Sequence, residues 1–384
     1  MKNKNIGILV DSLEHGGMER VAANLSTALE NSGYKIFVFV SQYHRKKVYP
    51  YSGRIVKNNC RIDLTNKKRE LLSYFISAYL VRCLKRKYKI STTVSFAPEM
   101  NLINILSGGR DKKILTIHNC MSLRSDVNSL AYKKIAMRLS NLSYKIIPVC
   151  DWCANDLKNN YGIKASKIRV IYNQAEVQLL KNAEKQKNII LFVGRLEEIK
   201  QPWHAIKAFK YVVSIIDDAE LWIAGDGPYM KALKEMVIRL KMEKNVKFLG
   251  YRNDVKKLYS NAKVLVMTSK SEAFPCVVVE ALSYGVPVVA SHIPGGLPEC
   301  MGHRISKEGI YPIEMSAGYI TTDFDGEDFN SDDTISQCEK ELGQAIVRIL
   351  DEDVYNSKSE GALEAVKKFD SELIRLQWIK VMEE

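Results

Sequence analysis

The sequence has no uncharged apolar run of about 18 residues, the length that would read as a membrane span. Its longest candidate, LLSYFISAYLVRCL from Leu71 to Leu84, is broken by two serines and an arginine. The first residues are not expected to act as a secretory leader. Lysines precede a short apolar stretch in MKNKNIGILVDSLEHGG, but Asp11 arrives too soon for a signal-peptide core, so the expected location is cytoplasmic. Closely spaced cysteines are few. Of eight, only Cys150 and Cys153, in VCDWCANDL, sit near each other, without a second pair or neighbouring histidines. That pattern reads as structural thiols more readily than as zinc ligands, with a redox role left open. Neither half opens on G-x-G-x-x-G; the first has HGGMER and the second GRLEEIK, which argues against a dinucleotide oxidoreductase.

Acidic residues are scarce in one half only. Residues 1–172 hold 30 Lys+Arg against 11 Asp+Glu, a net +19, which leaves 27 against 33, a net −6, for the rest of a chain whose formal charge is +13. A basic half suits a polyanionic partner or an anionic membrane surface. No nucleic-acid recognition module accompanies the charge, so nucleic acid is not the expected partner. The clusters HRKK at 44–47, KKR at 67–69 and KRK at 85–87 are the candidates for peripheral attachment to an inner membrane face.

What is present is an alternation of strand and helix patterns. NIGILV, a loop, then Met18, Val21, Ala22, Leu25, Ala28 and Leu29 at helical spacing, closed by Gly33 and followed by KIFVFVS, read as strand, helix, strand. TTVSFA, KILTIHN and YKIIPVC continue the series. The same grammar restarts at NIILFVGRL and runs through AELWIAG, NVKFLG, KVLVMTS and PVVAS. At 384 residues, two doubly wound α/β domains are expected, over 1–172 and 188–365, joined by a linker near 173–187. A closing amphipathic segment, 366–384, is expected to pack back towards the first domain.

Open sheets of this type bind ligands beyond the carboxyl ends of their strands. The stretch SEAFPCVVVEALSYGVPVVAS therefore carries most weight, because Glu280 stands in an almost wholly apolar segment and Glu272 lies eight positions earlier. Pro275 suits a helix start and Gly285 its end, so a buried helix is expected over 275–284. A carboxylate there needs a cation or ligand hydroxyls. Arg195 and Lys200, after another strand, with a helix N-terminus nearby, suit a diphosphate.

The Glu272/Glu280 spacing, GRLEEIK, AGDGP, FLGYRNDV, GGMERVAANLSTALENSGY, TIHN and VIYN together resemble retaining glycosyltransferase family 4, of the bacterial surface-polysaccharide type. The resemblance covers most of the chain. It implies the GT-B architecture of two facing Rossmann-like domains, and transfer of a hexose or N-acetylhexosamine from a nucleotide-diphosphate sugar, with a UDP-sugar as the expected donor and a lipid-linked glycan as the acceptor. A GDP-mannose donor and a non-catalytic nucleotide-binding member are the alternatives. The residues placed by resemblance at the reaction centre are Arg195 and Lys200 on the diphosphate, Glu272 on the transferred sugar and His118 near it. Glu280 is placed on the ribose. Gly16 and Gly17, Gly225, Gly227 and Pro228, Tyr251, Arg252 and Phe274 line the nucleotide sugar. No metal ion and no cofactor besides the donor is implied. Two departures stand out: Ala273 follows Glu272 where the family often has glycine, and Gln174 follows Asn173 where glycine is usual.

Overall fold

The computed structural model describes residues 4–14, 16–41, 48–58, 67–123, 137–175, 187–252, 254–302, 311–324, 329 and 333–384. The HRKK cluster lies outside these residues, as does most of the expected linker. The chain divides into two compact units, residues 1–174 with 372–384, and residues 175–371.

In the first unit β1 (Asn5–Val10), β2 (Lys35–Val40), β3 (Arg54–Lys57), β4 (Thr92–Ser95), β5 (Lys112–Ile117) and β6 (Lys145–Pro148) form one sheet in the order β3-β2-β1-β4-β5-β6. Every pairing is parallel. Strands buried on both faces read as continuous apolar runs, which is why NIGILV and KIFVFV were recognisable. The covering helices are α1 (Gly17–Glu30), α2 (Lys67–Lys87), α3 (Pro98–Leu106) and α4 (Asp151–Tyr161). Gly16 caps α1 at φ +128, and a Cβ there would lie 2.3 Å from the Glu19 carboxylate, so only glycine makes this strand-to-helix turn without strain. The last helix of the chain, Ser371–Glu383, buries Ile374, Trp378, Val381 and Met382 in the same core as β1 and α1.

The KRK cluster is not the uniform surface patch expected of it. Lys85 is buried, and its ammonium meets Asp111 at 2.8 Å, Asn104 Oδ1 at 2.7 Å and Ser107 Oγ at 2.8 Å, while Arg86 and Lys87 remain exposed. Burial pushes the Lys85 ammonium down to about 8, against the pull of Asp111. Replacing Lys85 by methionine is expected to cost about 3–5 kcal/mol, the usual penalty for breaking a buried pair. Pairing the change with Asp111→Asn should recover part of that loss. Urea unfolding midpoints measure both, and an unchanged midpoint for the single variant would refute the assignment.

The thiols near α4 are buried. Cys150 caps the helix by accepting the Cys153 backbone N–H at 3.4 Å, and the sulfurs of Cys120 and Cys153 are 3.3 Å apart within the core. These hydrogen bonds, reinforced by burial, push the Cys153 thiol up and hold it protonated.

The second unit has a seven-stranded sheet built from β7 (Ile189–Val193), β8 (Glu220–Ala224), β9 (Val246–Gly250), β10 (Val264–Met267), β11 (Val288–Ser291), β12 (Ile313–Met315) and β13 (Gly318–Thr321), ordered β12-β13-β11-β10-β7-β8-β9. Among the described strands only β12, at the edge, runs antiparallel. Helices α5 (Pro202–Val213), α6 (Met230–Arg239), α7 (Val255–Asn261), α8 (Cys276–Ser283), α9 (Leu297–Cys300), α10 (Gln337–Leu350) and α11 (Glu352–Val366) cover it. β3, β12 and β13 escape the sequence reading, since RIVK is short and half polar and GYIT opens on a glycine. Gly318 is needed at that opening, because a Cβ would sit 1.9 Å from the Val288 carbonyl oxygen across the parallel ladder.

Candidate functional site

The carboxyl ends of β7, β8, β9 and β10 carry nearly all the residues singled out in the second half. After β7, the chain turns through Arg195 into a short 3-10 turn, Glu198–Lys200. The Lys200 stem runs beside Gly194, and its ammonium pairs with the Glu272 carboxylate. Glu272 also accepts the Ser269 hydroxyl at 3.2 Å. The Thr268 hydroxyl, at the end of β10, donates to the carbonyls of Lys200 and Gln201 at 3.0 and 2.8 Å. Two strand-end loops are thereby tied together, and the pair is presented only partly buried, with side-chain exposures of 21% and 17%.

The backbone beside Glu272 is held by glycine. A parallel bridge joins Glu272 to Gly295, whose φ of +136 and close approach, with a Cβ position 1.7 Å from the Glu272 carbonyl oxygen, exclude any side chain. Gly296 N–H then donates to the Ala273 carbonyl at 2.9 Å. The Gly-Pro-rich SHIPGGLP stretch is thus what positions Glu272.

Helix α8 is one residue shorter at each end than expected. Pro275 is its cap and not its first residue, and Gly285, at φ +62, turns the chain after it. Glu280 is partly exposed, not sealed in the core, and it accepts the Tyr259 hydroxyl at 3.0 Å. The carboxylate therefore has a protein partner before any ligand arrives. Its place on the helix explains this, since Val278, Val279, Ala281 and Leu282 form the buried face and Glu280 lies off it. Tyr259, stacked on Tyr284 at 5.9 Å, was not legible beforehand, because nothing in VKKLYSN marks that tyrosine as facing α8.

Gly225 and Gly227 are required by packing. Their Cβ positions would lie 1.8 Å from the Gly194 carbonyl oxygen and 2.4 Å from that of Leu196, so the AGDGP turn lies directly on the GRL turn. Pro228 is exposed in that turn. Arg195 is not gathered onto Lys200; its side chain is 75% exposed and pairs with Glu197 at 2.8 Å. Tyr251 is 70% exposed, and Arg252 forms a bidentate pair with Asp254. Phe274 differs from expectation, since its ring is buried against Phe369 at 5.4 Å, edge to face, which leaves its backbone as the part able to line a ligand.

In the first unit, the ends of β4 and β5 and the start of α1 meet at a small recess lined by Met18, Ala97, Pro98, Thr116, His118 and Met121, among others. His118 stacks on Phe96 at 5.4 Å, and its Nε2 lies 3.1 Å from Thr116 Oγ1. Thr116 has one hydroxyl proton and gives it to the Ser95 carbonyl at 2.8 Å. Nε2 must then be the donor, leaving Nδ1 as an acceptor. Burial pushes the imidazole down to about 4, so it is neutral at pH 7. Gly17, beside the recess, has an ordinary backbone conformation, and a Cβ there would meet nothing within 4 Å. Packing gives no reason for that glycine.

Two Rossmann-like parallel sheets, each with its marked residues at the strand carboxyl ends, define the GT-B class of fold. The Glycosyltransferase Family 4 model matches residues 15–178 and the Glycosyl transferases group 1 model matches 176–317. The chain belongs to these glycosyltransferases. It is 25% identical, over 99% of its length and 98% of the relative's, to the GalNAc-alpha-(1->4)-GalNAc-alpha-(1->3)-diNAcBac-PP-undecaprenol alpha-1,4-N-acetyl-D-galactosaminyltransferase of Campylobacter jejuni. An uncharacterized glycosyltransferase of Methanocaldococcus jannaschii is 29% identical over 56% of the chain and 55% of that protein. The chain spans about half the length of several curated relatives that it matches, this one among them. Among solved structures, Anabaena HepE in complex with UDP superposes with a TM-score of 0.75 at 19% identity, covering 99% of each chain, a likeness that shows the fold.

Proposed function

We propose that the protein transfers a hexose or N-acetylhexosamine from a UDP-sugar to a hydroxyl of a lipid-linked glycan, with retention at the anomeric carbon, in the synthesis of a surface polysaccharide. The observation that carries this reading is the Lys200–Glu272 pair, a cation and a carboxylate held by two sheet-end loops and left partly open. A diphosphate would draw the Lys200 ammonium away from Glu272, freeing the carboxylate to accept sugar hydroxyls. Glu280, already oriented by Tyr259, retains acceptor capacity for a ribose. The neutral His118 offers Nδ1 to a sugar hydroxyl, and Gly17 leaves its backbone open to close approach. Relatives support the substrate classes: the Anabaena protein was solved with UDP and with glucose, and the Campylobacter enzyme is named for an undecaprenol-diphosphate glycan.

In this reading the leaving phosphate takes the acceptor proton as the new glycosidic bond forms on the same face. Lysine and arginine supply the compensating charge without a metal ion, and no side chain becomes a covalent nucleophile. Glu272 and Glu280 are binding groups, so the carboxylate-pair rule of glycosidases does not apply to them.

Thermal unfolding with UDP, GDP and ADP tests the donor assignment. A nucleotide at about one hundred times its dissociation constant stabilises the folded state by about 2.7 kcal/mol. UDP is expected to raise the melting temperature, and Glu280→Ala to reduce the rise. A rise with GDP alone would replace the donor series, and no rise with any nucleotide would remove the assignment.

A further inference from the structure

Helix α2 packs one face on the first unit and leaves an apolar face in solvent. Tyr74, Ser77, Ala78, Val81 and Lys85 are buried, at spacings of three and four. On the other side Leu71, Leu72, Phe75, Ile76 and Tyr79 are 53–67% exposed. Isolated exposed apolar residues are ordinary, but five that adjoin on one helix face are not. Along the axis they cover about 12 Å, at about 1.5 Å per residue.

The ends of the same helix are basic. Residues 67–87 contain seven Lys or Arg and a single acidic residue, Glu70. Arg86 is eleven residues after Phe75, about three turns along, and so falls on the same side as the apolar stripe. Arg69 and Lys87 are also exposed. No helix among the described residues is long and apolar enough to cross a membrane. An apolar centre with basic ends is the pattern of a helix that lies in the headgroup region, its rings and aliphatic chains sunk among acyl chains and its cations on lipid phosphates.

We infer that α2 is the element that docks this protein on an anionic lipid surface, through Leu71, Leu72, Phe75, Ile76 and Tyr79 flanked by Arg69, Arg86 and Lys87. Charge selects this occupant. The net +19 of residues 1–172 favours an anionic surface and opposes a second copy presenting the same face. The inference deepens the proposed function, because a lipid-linked acceptor is met at that surface, but the stripe itself is independent of the donor chemistry.

Co-sedimentation of the full chain with vesicles tests it, using phosphatidylglycerol–phosphatidylcholine mixtures against pure phosphatidylcholine at physiological salt. Binding is expected to the anionic vesicles only. Leu72→Gln with Phe75→Gln and Ile76→Gln should weaken it at least tenfold, as should Arg69→Gln with Arg86→Gln and Lys87→Gln. All six side chains are exposed, so both variants should keep the wild-type melting temperature and its rise with UDP. Equal binding to neutral vesicles, or full binding by the apolar triple variant, would overturn the inference. So would a wild-type dimer in light scattering that the triple variant disperses, without vesicle binding, since the stripe would then be a self-interface. Loss of vesicle binding with the UDP response intact separates this inference from the donor reading; failure of the UDP response with vesicle binding intact sinks only the latter.

Discussion

Replacing Lys200 by alanine is expected to lower sugar transfer about 100- to 1,000-fold, the usual effect of removing one preorganised charge-stabilising group. The ammonium is the part that matters. It ends a stem confined beside Gly194 on a turn whose carbonyls are gripped by Thr268, so the turn stays fixed and only the ammonium has to swing from Glu272 to meet a developing phosphate charge. Arg195, by contrast, extends into solvent against Glu197, and Arg195→Ala should cost less. With side-chain exposures of 21% and 17% the pair is mostly buried, so some folding stability goes with it, and the melting temperature separates that from the loss of rate. Lys200→Arg keeps the charge but replaces a compact ammonium with a planar fork, and should recover only part of the rate. Initial rates with a UDP-sugar, beside melting temperatures, decide the matter. Transfer within threefold of wild type in Lys200→Ala would take Lys200 out of the reaction centre.

The residues that disclosed the fold are those whose burial forces a pattern. NIGILV, KIFVFV and VLVM must be apolar along their length because parallel strands are covered on both faces, and the helices between them must show the 3.6-residue period. RIVK and β12 were silent because a short strand at a sheet edge carries no such constraint, and β13, though buried between β12 and β11, is only four residues long and opens on a glycine. Site residues were visible where an odd residue type stood in a strong context, as with Glu280 in a valine-rich helix. Their partners were not. Tyr259, Ser269 and the Ser95–Thr116–His118 chain of hydrogen bonds are common residue types whose roles follow from which loops the sheet brings side by side. Lys85 shows the converse error, since a lysine within a basic run reads as surface until Asp111 is found beneath it.

Glycine marks both packing and approach, and the two can be separated by one pair of variants. Gly225→Ala is expected to destabilise the second unit by roughly 2–5 kcal/mol, combining a φ of +153 with a Cβ only 1.8 Å from the Gly194 carbonyl oxygen. That overlap is backbone against backbone, so no rotamer change relieves it, and the turn that carries Arg195 must move. Transfer should fall along with stability. Gly17→Ala is the opposite case. The position is the first residue of α1, with an ordinary backbone conformation and nothing within 4 Å of the added methyl, so stability should hold or rise by a few tenths of a kcal/mol. If the glycine keeps space for the donor or the reacting centre, transfer falls at least tenfold while the melting temperature does not. Chemical unfolding and initial rates on the two variants give four numbers. A Gly17→Ala enzyme with full transfer would show that the glycine is incidental, whereas a stable Gly225→Ala protein would mean that the AGDGP and GRL turns do not lie on one another as described.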